Sequence, residues 1–245
     1  MALTVGFIDF TYLLFLAPAM LLAFIAQRMV ASRFDWASKL MAPRGLTGRE
    51  VARLIADHHG LQGVPIEPSE GHLSDHYDPR SKTLRLSPQV YSGRSLAAYA
   101  VAAHEVGHAI QDQTRYAPLV VRNAIVGTAG FGSNAGMLIF MGGLMLSAFT
   151  KSPGLDQMAK YIMIGGIALF SAVVFFQLVN LITEFDASAR AKLALAEMGL
   201  VSQEEAGPVS KVLSAAALTY VAGTLSAILT LAYLVFRFSQ SQRQE

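Results

Sequence analysis

The 245-residue chain contains no cysteine. That excludes a disulfide framework and any thiolate-ligated metal, so a bound metal ion would have to be held by His, Asp or Glu. Charge is scarce as well: Asp, Glu, Lys and Arg make up 15% of the residues against 53% hydrophobic, and the mean hydropathy is +0.43. Soluble domains carry roughly 25% charged residues, so this chain is too apolar for that class. The formal net charge of +2 argues against a nucleic-acid partner. Histidine is rare, with six residues in all and none after His108. Internal repeats and low-complexity tails are also missing.

What is present instead is apolar runs long enough to cross a bilayer, which takes roughly 20 residues. They lie at about 7–26, 125–149, 161–182 and 212–236. The first has Asp9 at its outer edge and Pro18 inside, and it reads as a span rather than a signal peptide. It lacks a basic start, and Arg28, Arg33 and Lys39 follow the run instead of preceding it. Cytoplasmic flanks are enriched in Lys and Arg, so this span is expected to run from outside to inside. The segment from Arg28 to Arg122 and the later loop with Arg190, Lys192 and Lys211 then face the cytoplasm. The short turn near 151–160 and the tail with Arg237 and Arg243 lie outside in this reading. Six glycines between Gly127 and Gly143 suit close helix packing in lipid.

Between the first two runs lies the one sizeable polar segment, about 32–118. Thr47 with Glu50 forms a capping box that opens an amphipathic helix, with Val51, Leu54 and Ile55 as its apolar stripe and Gly60 at its end. Residues 64–87 are rich in Pro, Gly, Ser and Asp, and two short strands are expected there, at about 64–66 and 82–86. The second could offer an edge against which an extended peptide pairs. A helix over 96–113 follows, and Pro118 closes the segment. Beyond the third run the helix is expected to continue over 184–197 and to end at Met198-Gly199-Leu200, with Ser202 capping a short acidic helix.

The helix over 96–113 carries His104-Glu105-Val106-Gly107-His108, an H-E-x-x-H motif. Positions i and i+4 share a helix face, so both imidazoles can grip one metal ion, and Glu105 can reach a water on that metal. Three ionisable groups inside a run of small and apolar residues are costly unless something satisfies them. A hydrolytic zinc site needs a third protein ligand and an open fourth position. With no cysteine and no later histidine, that ligand is either a downstream carboxylate or an upstream histidine. Glu184 is the foremost candidate. Two crossings separate it from His108, which returns it to the same side of the membrane. Asp186 could orient a ligand histidine through its ring N–H, or pair with Arg190 four residues on. His58 and His59 sit at a helix end, and His72 and His76 lie in a polar loop; His76 or Tyr77 could stabilise an oxyanion if that loop folds over the site.

These residues carry a resemblance. His104 to His108 and Glu184-Phe185-Asp186-Ala187-Ser188, set between hydrophobic spans, are similar to the YugP-like family of membrane-bound neutral zinc metallopeptidases. Ser74-Asp75-His76-Tyr77-Asp78-Pro79-Arg80, leading to Leu84-Arg85-Leu86-Ser87, looks similar as well. The resemblance covers most of the chain. It implies a gluzincin-like zinc endopeptidase acting on protein or peptide substrates, with Glu105 as general base and His104, His108 and Glu184 as zinc ligands. A more distant likeness is to membrane gluzincins of protein quality control, which often carry an aspartate four residues after the glutamate ligand; here that position is Ser188.

The fold expected is mainly α: a polytopic membrane protein with about four transmembrane helices and a small α+β, zincin-like juxtamembrane metalloprotease domain. Its parts are a first span in 1–31, a metalloprotease segment in 32–118, a hairpin of two spans in 119–183, a third-ligand helix and loop in 184–211, and a last span with its tail in 212–245. The expected location is the bacterial cytoplasmic membrane, with the lipid bilayer as a partner and the active site facing the cytoplasm. The alternative from another class is a non-catalytic zinc-containing membrane scaffold that binds partner proteins. Structural zinc sites usually fill all four positions and need no adjacent base, which weighs against it.

Overall fold

The computed structural model describes residues 10–149 and 152–243. The first residues of the first apolar run, Asp9 among them, and Lys151 lie outside the described residues. In chain order the elements are α1 (Phe10–Ser38), α2 (Gly48–His58), β1 (Ile66–Pro68), β2 (His76–Asp78), β3 (Thr83–Leu86), α3 (Pro88–Tyr91), α4 (Leu96–Gln113), α5 (Ala117–Phe149), α6 (Pro153–Glu197) and α7 (Gln203–Gln242). The protein is mainly helical, and α1, α5, α6 and α7 are long and apolar enough to cross a membrane.

The chain forms two compact units. One comprises Val121–Asn180 with the described parts of Met1–Ala23 and Val221–Glu245; the other comprises Phe24–Val120 and Leu181–Tyr220. The core of the first is Phe140, Met163, Phe170, Tyr233 and Leu234. Here the expected glycine packing is realised at particular positions. A Cβ on Gly143 would stand 2.9 Å from the Ala159 carbonyl oxygen, and one on Gly166 would stand 2.7 Å from the Phe140 nitrogen, so α5 and α6 touch backbone to backbone. Gly127, Gly130 and Gly142 meet nothing within 4 Å and take no part in this contact.

The second unit builds around α4, which is buried on almost every side. α2 packs on it with Val51, Ala52, Ile55 and Ala56 inward, whereas Leu54 of the expected stripe is 41% exposed. The capping box forms as expected: Thr47 Oγ1 accepts the Glu50 N–H, and Glu50 Oε2 accepts the Thr47 N–H. Three strands form instead of two, in the order β1-β3-β2, with β1 parallel and β2 antiparallel to β3. β2 is three residues long, too short for alternation to show in the sequence. Because β3 is paired on both flanks, the expected substrate-binding edge at 82–86 is not an edge; β1 and β2 hold the edges, and Pro68 sits in one of them as its missing N–H requires.

Two helix starts also differ from expectation. α5 begins eight residues earlier than the apolar run, with Pro118 as its second residue, a place where the ring fits a helix. Ser202 caps α7 reciprocally with Glu205, yet no separate short helix follows. The helix runs unbroken from Gln203 to Gln242 through Pro208, whose ring removes a bond only near the helix start.

Candidate metal centre

Ser95 opens α4 by accepting the Ala98 N–H on its hydroxyl. From there the 3.6-residue period places His104, Gly107, His108 and Gln111 on one face. Across from them α6 presents Thr183, Glu184, Ala187 and Ser188, which also share one helix face. Gly107 sets the distance between the helices. A Cβ there would lie 2.6 Å from the Ala187 carbonyl oxygen, so only glycine lets α4 approach α6 this closely.

The approach brings three ligand atoms together. His104 Nε2 lies 3.3 Å and His108 Nε2 3.4 Å from Glu184 Oε2, and the three ligating atoms fall within 4.8 Å of one another. The imidazoles stand edge to face with centroids 4.8 Å apart. A tetrahedral ion with ligand bonds of about 2.0–2.1 Å needs ligand atoms separated by roughly 3.3 Å, which both imidazole–carboxylate separations match, so the donor set is compatible with zinc. Glu184 is 2% exposed and His108 8% exposed, which leaves the carboxylate oxygen and the ring nitrogen converging where bulk water cannot satisfy them.

Each imidazole is held from behind. His104 Nδ1 is 3.2 Å from Ser188 Oγ. His108 Nδ1 is 3.0 Å from Gln111 Oε1. Gln111 is fully buried; its Nε2 donates to the Thr183 carbonyl and to Asp186 Oδ2, both at 2.8 Å. Asp186 also accepts from Arg190 Nε at 2.5 Å, and that guanidinium lies over the Tyr116 ring. Of the two roles expected for Asp186, the structure has the pairing with Arg190; on its other side Asp186 meets the Gln111 amide rather than a histidine ring N–H. Gln111 itself has no place in the sequence reading, although its spacing of three from His108 and seven from His104 puts it on the ligand face.

Glu105 follows His104 and so points about 100° away around the helix, toward β2. Its Oε2 accepts the Tyr77 N–H at 3.0 Å. Burial pushes its carboxyl up to about 7, with His104 pulling the other way and Glu184 adding to the rise. Burial also raises the Asp75 carboxyl, although Ser87 donates its N–H and Oγ to it. The Tyr77 hydroxyl donates to Asp112 Oδ2 at 2.7 Å, and Lys82 pairs with the same carboxylate. Burial and then the Asp112 bond raise the Tyr77 phenol. Tyr77 thereby ties β2 to α4 at two points. The His76 side chain is exposed, with Nδ1 against the Ser74 carbonyl. His59 Nδ1 meets the Ile55 carbonyl at the end of α2, and His72 stacks edge-on against Phe34.

A curated protein of Bacillus subtilis (strain 168), "Putative membrane protease YugP", is 47% identical over 218 residues, which is 89% of this chain and 92% of that protein. No solved structure matches the chain. A family model covers residues 12–239, nearly the whole sequence including α4 and α6, and the chain belongs to the family it describes, "Putative neutral zinc metallopeptidase".

Proposed function

We propose that this chain is a membrane-embedded, zinc-dependent endopeptidase that hydrolyses peptide bonds of protein substrates, with His104, His108 and Glu184 as ligands and Glu105 as general base. The observation that carries the reading is the convergence of three ligand atoms on one point, with a buried carboxylate on the adjacent residue. A bound zinc ion supplies Lewis acidity, lowering the pKa of a water molecule and polarising a carbonyl. The chain does the rest. His104 and His108 present neutral Nε2 atoms, and Glu184 adds one anionic oxygen. Tyr77 N–H engages Glu105 Oε2, which leaves Oε1 to take the proton of the attacking water and to pass it to the leaving amine. The zincin-like description of this unit is supported by the packing of β2 against the helix that carries both histidines.

Insertion into a bilayer is part of the proposal. No more than 39% of any of the four apolar windows is buried within the protein, and Leu21, Phe24, Phe131, Leu138 and Phe175 are among the exposed side chains. Lipid would cover them. The unit holding the metal centre is assigned to the cytoplasmic side because Lys and Arg concentrate beyond the first span.

The test is metal content and casein cleavage on detergent-purified protein. About one zinc per chain is expected. Glu105→Gln should keep the metal and lower kcat by roughly 10²–10⁴. Glu184→Ala should lose both metal and cleavage. Normal cleavage by Glu105→Gln would overturn its role, and zinc without cleavage of any peptide would favour the scaffold.

A further inference from the structure

Within the proposed zinc site, the two histidines are held by partners of different character. Ser188 Oγ can donate or accept, so it suits either tautomer of His104. Gln111 has no such freedom. Its Nε2 faces the Thr183 carbonyl and the Asp186 carboxylate, which Arg190 keeps paired. Both are acceptors only, so the amide NH₂ must lie on that side and Oε1 must face His108. An oxygen at 3.0 Å from Nδ1 then requires a proton on Nδ1. The other ring nitrogen, Nε2, faces Glu184 Oε2, 3.4 Å away, and in the neutral ring it is the one that carries the lone pair.

We propose that Gln111 is the positioning residue of the metal centre: its amide, locked by Asp186 and the Thr183 carbonyl, keeps the His108 proton on Nδ1 and reserves Nε2 for the metal. Which imidazole nitrogen binds metal is set by the hydrogen bond that the other nitrogen makes. Without that bond the neighbouring carboxylate would draw the proton to Nε2 and block ligation. Gln111 also joins the two helices that supply the ligands, since Thr183 directly precedes Glu184. Asp186 acts at one remove, by fixing which way the amide points.

The inference rests on the zinc reading, and two measurements on the full-length chain in detergent separate them. The first is ¹⁵N imidazole spectroscopy of the metal-free protein at a pH where the rings are neutral. His108 is expected as the Nδ1–H tautomer in the unmodified chain and as Nε2–H in Gln111→Met, which fills similar volume but cannot accept. A purely structural role for Gln111 would leave the tautomer unmoved. The second is the zinc Kd by chelator competition. Gln111→Met is expected to weaken zinc about ten- to a hundredfold, and Asp186→Asn by less. An Nε2–H tautomer in the unmodified chain would overturn the proposal even if no variant folds, as would an unchanged Kd in Gln111→Met. An unmodified chain with the Nδ1–H tautomer but no zinc affinity would instead sink the metallopeptidase reading and leave the His108 assignment standing.

Discussion

At the scale of single residues, the site depends on one missing side chain as much as on those present. Replacing Gly107 with Ala would gain about 1 kcal/mol of helix propensity. Against this stands a contact of 2.6 Å with a backbone oxygen, which cannot rotate away. Overpacking of this kind costs roughly 1–3 kcal/mol, so the clash is expected to win. Gly107→Ala should lower the unfolding midpoint and loosen zinc together, because separating α4 from α6 separates His104 and His108 from Glu184. A variant with wild-type zinc affinity would show that the helices can part without disturbing the ligands.

Among elements, the β2–β3 hairpin is the piece that meets Glu105, the proposed general base, and its turn has its own electrostatics. Asp78 accepts from Ser81 Oγ and the Arg80 N–H and lies near Arg85, and these bonds hold its carboxyl down to about 2 from an ordinary 3.8. A carboxyl lowered in the folded state stabilises it only while ionised. The contribution is therefore present above the unfolded value and is lost as pH falls from about 4 toward 2. Amide shifts of Tyr77 and Thr83 should report a step in that window, and Asp78→Asn should remove it. A step of equal size in the variant would assign it to another group.

For the molecule as a whole, the division of charge is decisive. Of the 36 Lys, Arg, Asp and Glu residues, 28 fall in Phe24–Val120 and Leu181–Tyr220, the unit that contains the candidate metal centre. Charged residues avoid hydrocarbon, so the other unit is the one suited to lipid. The absence of cysteine makes the proposed orientation directly measurable. Ser92→Cys, in the polar unit, should react with a membrane-impermeant maleimide only in inside-out vesicles. Ser152→Cys, between α5 and α6, should react only in right-side-out ones. The reverse pattern would place the metal centre outside the cell.

Local sequence by itself determined the long apolar helices, the capping box at Thr47 and the H-E-x-x-H helix, because each is written in contiguous residues with a clear period. It also brought Glu184 forward, through the lack of cysteine and of later histidine and the parity of crossings. Tertiary structure decided what depends on two segments meeting. β2 became a strand only because β3 offers it a partner, and it carries Tyr77 to Glu105 across 28 positions of chain. Gln111 matters only because α6 brings Thr183 and Asp186 to it from more than 70 residues away. No helical period announces such a contact: a buried amide reads as an ordinary polar residue until the acceptors that fix its direction are in place.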